Sequence, residues 1–167
     1  MEQHPLLLKA SDIEQMAGQH KVHFLNPNAV RLNKSLGDAV GLEQIGVHII
    51  YVEPNQESTE YHKHYYEEEG IYVLSGKGSL IIEDESYSFA EGDFVGFPAN
   101  TAAHSIFNDS DETLVCLVIG QRLLQDVADY PHQEKRLYRN SGDWNLVDFQ
   151  NISDPKKERL PLPEENS

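Results

Sequence analysis

A single cysteine in 167 residues, Cys116, leaves no internal disulfide to form. That fits a reducing compartment and makes a cytoplasmic protein the expectation. Cys116 lies in the apolar run Leu114-Val115-Cys116-Leu117-Val118-Ile119 and reads as a small buried hydrophobe rather than a nucleophile. Long apolar runs are also missing. Leu6-Leu7-Leu8 is too short for the core of a signal peptide, and no stretch approaches the ~18–20 consecutive apolar residues of a membrane span. Basic residues are scarce: 13 Lys and Arg stand against 28 Asp and Glu, a formal charge of −15. Such a chain repels nucleic acid and anionic membrane unless its cations cluster. The densest group, Lys156, Lys157 and Arg159, is surrounded by acids. Neither nucleic acid nor membrane is expected as a partner, and the acidity reads as a solubility device.

The length suits one domain. Residues 1–44 have little strand pattern and read as an N-terminal extension. Ser11-Asp12-Ile13-Glu14 has the form of a capping box, with serine at the N-cap, opening a short helix that Gly18 ends. Pro27 with Asn26, Asn28 and Asn33 predicts loop beyond it, and His20 and His23 read as surface histidines. From Ile45 the character changes. Ile45, Val47, Ile49 and Tyr51 alternate with Gly46, His48, Ile50 and Val52, a buried strand that Pro54 and Asn55 close. His48 falls on the face opposite Ile45 and Val47, as a surface or partnered histidine. Short strands follow at 71–75, 79–83, 86–89, 94–97, from 104, and at 113–119, with Gly76-Lys77-Gly78, Asp84-Glu85 and Gly92-Asp93 as turns. Strands at this spacing predict an all-β barrel or sandwich. Residues 121–167 form a C-terminal extension. The stretch 123–131 reads equally as a helical turn or an extended segment. Trp144, Leu146, Val147 and Phe149 offer apolar surface for docking on the barrel or a second subunit. The tail from Asp154 reads as a poorly structured end.

The chemistry concentrates in His62-Lys63-His64-Tyr65-Tyr66-Glu67-Glu68-Glu69-Gly70. On a strand, residues i and i+2 share a face about 6.5–7 Å apart, so His62 and His64 can converge on one ion. His104 offers a third imidazole. Glu67, Glu68 and Glu69 compete for a carboxylate role. Strand parity favours Glu69, which shares a face with Ile71 and Val73, and leaves Glu67 and Glu68 in a solvated link. Three imidazoles and a carboxylate suit Mn, Fe, Co, Ni or Zn without choosing among them.

At these residues the sequence resembles the cupin superfamily. His62, His64, Glu69 and Gly76 match a first motif of His-x-His, three or four residues, Glu, six residues, Gly. Gly92, Pro98, His104 and Asn108 match a second. Gln56 and Asn100 stand where the pattern has glycines, and one extra residue lies between Asn100 and His104, so that loop is slightly longer. The resemblance is strongest over 45–120. Leu36-Gly37-Asp38-Ala39-Val40-Gly41-Leu42 and the region from Asp126 to Pro131 look like a bacterial group of small single cupins, some labelled phosphosugar isomerase-like. One copy of the motif pair is present, unlike the two-barrel oxalate decarboxylases. The resemblance implies a double-stranded β-helix, a jelly-roll-type barrel, in which His62, His64, Glu69 and His104 hold a divalent metal.

The leading expectation is a metal-dependent small-molecule enzyme. Open coordination positions can take O₂ with a chelating substrate, or polarise a carbonyl. Oxygenase chemistry needs a redox metal, Fe foremost, whereas isomerase or lyase chemistry accepts Zn or Mn. The alternative is a non-catalytic cupin that senses or stores a small ligand. Tyr51, Tyr72 and Tyr87 are possible pocket groups, although parity turns Tyr72 away. A phosphosugar needs convergent Lys or Arg, and the core stretch offers only Lys63 and Lys77, which counts against the isomerase label. A homodimer is expected of such a barrel.

Overall fold

The computed structural model describes residues 4–155. The chain forms β1 (Gln19–His23), β2 (Asn26–Ser35), β3 (Ile45–Val52), β4 (Lys63–His64), β5 (Glu69–Ser75), β6 (Lys77–Ile82) and β7 (Glu85–Ala90). It continues through β8 (Phe94–Phe97), β9 (His104–Phe107), β10 (Leu114–Gln121), β11 (Gln125–Tyr130), β12 (Lys135–Asn140) and β13 (Asp143–Asp148). Two short helices, α1 (Ala10–Gln15) and α2 (Leu36–Ala39), precede β3. A six-stranded sheet runs β1-β2-β3-β10-β5-β8, a three-stranded one β7-β6-β9, and a four-stranded one β13-β12-β11-β4. All the strand pairs are antiparallel. The result is the all-β barrel expected of a double-stranded β-helix.

The core lies between the six- and three-stranded sheets, where Ile50, Val52, Ile71, Val73, Leu80, Phe89, Phe97, Ile106, Leu114 and Cys116 pack together. Burial lifts the Cys116 thiol to about 12, so it stays protonated and inert. Two turns depend on backbone that few residues tolerate. Glu83 and Asp84 both have positive φ, the requirement of a two-residue hairpin between β6 and β7. Gly76 has φ +82°, and a Cβ there would lie 2.7 Å from the Thr113 carbonyl oxygen. Lys77 and Gly78, expected in that turn, already belong to β6.

Several expectations are corrected. The loop forecast from Pro27 and its neighbouring asparagines is a ten-residue strand, because pairing of Leu32 through Ser35 with β3 outweighs local propensity. Helix α1 starts one residue before Ser11, and its N-cap is Lys9, whose backbone N–H donates to the carboxylate of Asp12 in the first turn at 2.6 Å. Lys34 donates to the Ile13 and Glu14 carbonyls and ties that helix to β2. The undecided stretch at 123–131 is extended over Gln125–Tyr130, as β11, and Pro131 opens a single 3-10 turn, Pro131–Gln133. In β3 the bulky residues Ile45, Val47 and Ile49 face outward, while Gly46, His48, Ile50 and Val52 face the interior. The expected unstructured tail, with Lys156, Lys157 and Arg159, falls almost entirely outside the described residues. Among the described residues no helix is long and apolar enough to cross a membrane.

Candidate metal centre

His62 and His104 meet because their backbones form an antiparallel bridge, His62 N to His104 O at 3.0 Å and the reverse at 2.8 Å. Their rings lie 4.7 Å apart. Glu69 enters from β5, whose other inward residues, Ile71 and Val73, are buried. One ligand atom each from His62, Glu69 and His104 lies within 4.8 Å of the others. The His104 ring stacks on Phe97 at 3.5 Å, and Phe97 is the cross-strand partner of Glu69. Asn100, in the lengthened loop before His104, has φ +56°, the left-handed conformation for which the family pattern keeps glycine.

His64 stands beside this group, its ring 4.9 Å from that of His62. Its Nδ1 bonds Asp126 Oδ2 at 2.6 Å, so that atom joins a second cluster of His64, Glu67 and Asp126. Sequence reasoning missed this buttress. Asp126 is fully buried and also accepts the Tyr66 N–H at 3.1 Å. Glu67, expected in solvent, is only 6% exposed; it pairs with Arg139 and accepts the Leu123 N–H at 2.7 Å. Glu68 is exposed as expected.

These contacts set the tautomers. His62 Nδ1 faces the Glu60 carbonyl at 2.8 Å, His64 Nδ1 faces Asp126, and His104 Nδ1 faces the Ala102 carbonyl at 3.4 Å. Each outer partner is an acceptor, so each Nδ1 carries the proton and a neutral ring keeps its Nε2 lone pair. His104 Nε2 then meets Glu69 Oε2 at 3.2 Å, two acceptors that need a cation or a proton between them. Burial, helped by His104 and His64, holds His62 neutral, with its pKa down at about 3. Burial opposes the Glu69 charge, but a proton held between it and His104 Nε2, together with the surrounding imidazoles, brings its carboxyl down to about 2. Burial likewise opposes charge on His64, and Asp126 outweighs it, raising that ring's pKa. Nitrogen lone pairs beside a half-buried carboxylate are a donor set that fits a divalent transition metal.

A cavity of about 470 Å³ opens above these residues. Its wall includes His48, His23, Tyr130, Lys21, Arg31 and Arg122. His23 is therefore no surface residue: it stacks on Phe24 at 4.5 Å, and burial with the nearby Arg31 lowers its pKa to about 4. Tyr51, Tyr72 and Tyr87 do not line the cavity; Tyr130, from β11, does. Lys63 lies over the Tyr65 ring, and Lys77 borders a shallower depression of about 780 Å³ that holds no metal-ligating cluster.

A β-barrel carrying imidazoles and a carboxylate on its inner wall defines a class of metal-site barrels. The family model described as "Cupin domain" matches residues 48–120, and the chain belongs to the cupin superfamily. It is 67% identical to a suspected sugar phosphate isomerase of Acidithiobacillus ferrooxidans, over 90% of this chain and 96% of that one, with a TM-score of 0.89. A cupin-superfamily sugar phosphate isomerase of Silicibacter pomeroyi is 24% identical over 81% of this chain and 90% of that one, TM-score 0.72, a likeness of fold. No curated protein matches the chain.

Proposed function

We propose that the protein is a divalent-metal enzyme that isomerises a small sugar phosphate, with His62, His64, Glu69 and His104 as the metal ligands. The observation that carries this reading is the convergence of Lys21, Arg31 and Arg122 on the cavity that holds those four residues. Lys63 and Lys77 do not line this cavity, whose cations come from β1, β2 and Arg122 just beyond β10. The names of the Acidithiobacillus and Silicibacter proteins agree with the substrate class. A volume of about 470 Å³ suits a phosphorylated sugar of five or six carbons. The metal (Mn, Fe, Co, Ni or Zn) supplies a Lewis acid that polarises a carbonyl. The chain holds three imidazoles in one tautomer, keeps Glu69 ionised, and lines the inner cavity with Ile50, Ile71, Ile106 and Val118 against bulk water.

The test is aldose–ketose interconversion of pentose and hexose monophosphates, followed by NMR on metal-reconstituted protein. Conversion that stops with chelator and in His104→Ala supports the reading. Binding without conversion for every metal returns the ligand-sensing alternative, and oxygen uptake by the Fe form with diols or keto acids returns the oxygenase one. The protein is also proposed to be a homodimer. Ile49, Leu117, Tyr72 and Phe94 are successive cross-strand partners on the outer face of the large sheet, and Phe94 is 68% exposed. A monomeric mass in solution would rule that out.

A further inference from the structure

We propose that Lys21, Arg31 and Arg122, grouped round His48, form a subsite for a phosphate monoester on the wall of the cavity that also holds the metal ligands. The subsite deepens the isomerase reading and rests on it for the remainder of the substrate. Its first support is a pair of like charges that has no ion-pair partner among the described residues. The β1–β2 register sets Lys21 directly opposite Arg31, and like charges so placed destabilise a sheet. Among the described residues Lys21 makes no hydrogen bond or ion pair, and the one hydrogen bond of Arg31 goes to the Ser58 carbonyl. A chain with 28 acids has ample means to pair two cations, yet among the described residues neither touches a carboxylate, and Arg31 feels the charge of Glu69 across the cavity without an ion-pair contact.

The second support is a cradle built for Arg122. Its Nη1 pairs with Asp38, itself held by Ser35 Oγ at 2.6 Å, and its Nη2 lies 3.2 Å from His48 Nε2. Asn33, buried behind the ring, lies 3.2 Å from His48 Nδ1. Asp38, the ring and Asn33 thus fix the guanidinium plane. Gly46 makes the arrangement fit: a Cβ there would lie 2.9 Å from His48 Nε2 and 3.1 Å from Arg122 Nε. The strand backbone is bare where the imidazole and guanidinium lie against it.

The spacing suits a bifunctional ligand. His48 on β3 and Glu69 on β5 flank β10, with His48 opposite Val118, Val118 opposite Ile71, and Glu69 two residues from Ile71. Two interstrand spacings and one two-residue step put their Cα atoms about 12 Å apart. Side chains reaching inward from both leave room for a sugar between the metal ligands and a phosphate. Two forked guanidinium groups and an ammonium match a phosphate dianion better than a lone carboxylate.

The test is calorimetric titration of metal-loaded protein with inorganic phosphate and with a hexose monophosphate. Wild type is compared with Lys21→Met, Arg31→Met, Arg122→Met and Gly46→Ala, with Lys77→Met as the remote control and His104→Ala to remove the metal. Phosphate affinity is expected to fall at least about tenfold in either arginine variant, the loss of one charge-assisted contact. It should fall less in Lys21→Met, and hold in Lys77→Met and His104→Ala. The exposed Lys21→Met keeps the test alive if an arginine variant misfolds. Equal affinity across Lys21→Met and both arginine variants, or affinity lost only in His104→Ala, overturns the subsite. Phosphate bound as described by a protein that converts no sugar phosphate supports the subsite and removes the isomerase reading alone.

Discussion

The stretch from 45 to 120 and the segments flanking it reach the same cavity by different routes. The central stretch supplies His62, His64, Glu69 and His104, brought together by strand parity and by one bridge between neighbouring strands. The flanks supply charge that completes them. Asp126 lies 62 residues from the His64 it holds, Arg139 lies 72 from Glu67, and Lys21 and Arg31 come from strands at the far N-terminal side of the sheet. The donors that would bind an ion thus all lie within the motif-bearing stretch. The groups that orient them, and those fit to bind an anion, do not. A motif can carry the reactive atoms while the rest of the chain determines what they meet.

The sharpest way to break this contrast is to remove a ligand and then a support. His62→Ala and His104→Ala are each expected to lower metal affinity by more than about a hundredfold, beyond the range of supporting contacts. The measurement is metal content after dialysis, with circular dichroism confirming the fold; retained stoichiometric metal in both would move the site elsewhere. Arg139→Met leaves Glu67 buried without its counter-charge, and should cost about 3 kcal/mol of stability by urea unfolding. A loss below about 1 kcal/mol would mean that the Leu123 N–H and solvent suffice for that carboxylate.

How much could be read beforehand follows from the same division. Glu69 was separable from Glu67 because strand parity is a local rule, and Ile71 and Val73 shared its side. The barrel strands were legible for the same reason. The burial of Glu67 was not, because nothing within ten residues carries the arginine that neutralises it. Bulk misled in β3: Ile45, Val47 and Ile49 look like a core face, yet the interior at that end is polar and holds Gly46 and His48. Strand β2 was hidden by Pro27 and its asparagines, whose turn preference is satisfied locally, Asn26 Oδ1 accepting the Asn28 N–H at 2.9 Å, without stopping the strand.

Asp126→Asn tests the buttress itself. An amide keeps the shape but weakens the acceptor that fixes His64 as the Nδ1–H tautomer. Metal affinity should drop by about ten- to a hundredfold while stability changes little, and Asp126→Ala should do no better. Unchanged affinity would mean that β11 only packs against His64.

Trp144→Ala marks where the contribution of the C-terminal hairpin fades. Trp144 borders the cavity but is 60% exposed, and its one ring contact among the described residues is the Arg139 guanidinium at 5.6 Å. An exposed cation–π contact is worth about 0.5–1 kcal/mol, so stability should fall by no more than that. Metal affinity should stay at the wild-type value, because Arg139 keeps its ion pair with Glu67 and that pair, not the indole, adjoins Asp126. If Trp144→Ala weakened metal binding as much as Asp126→Asn, support for His64 would be spread through the whole hairpin. If it changed only the affinity for a sugar phosphate, the indole would belong to the mouth of the cavity, alongside Phe24 and Lys21 from the N-terminal side.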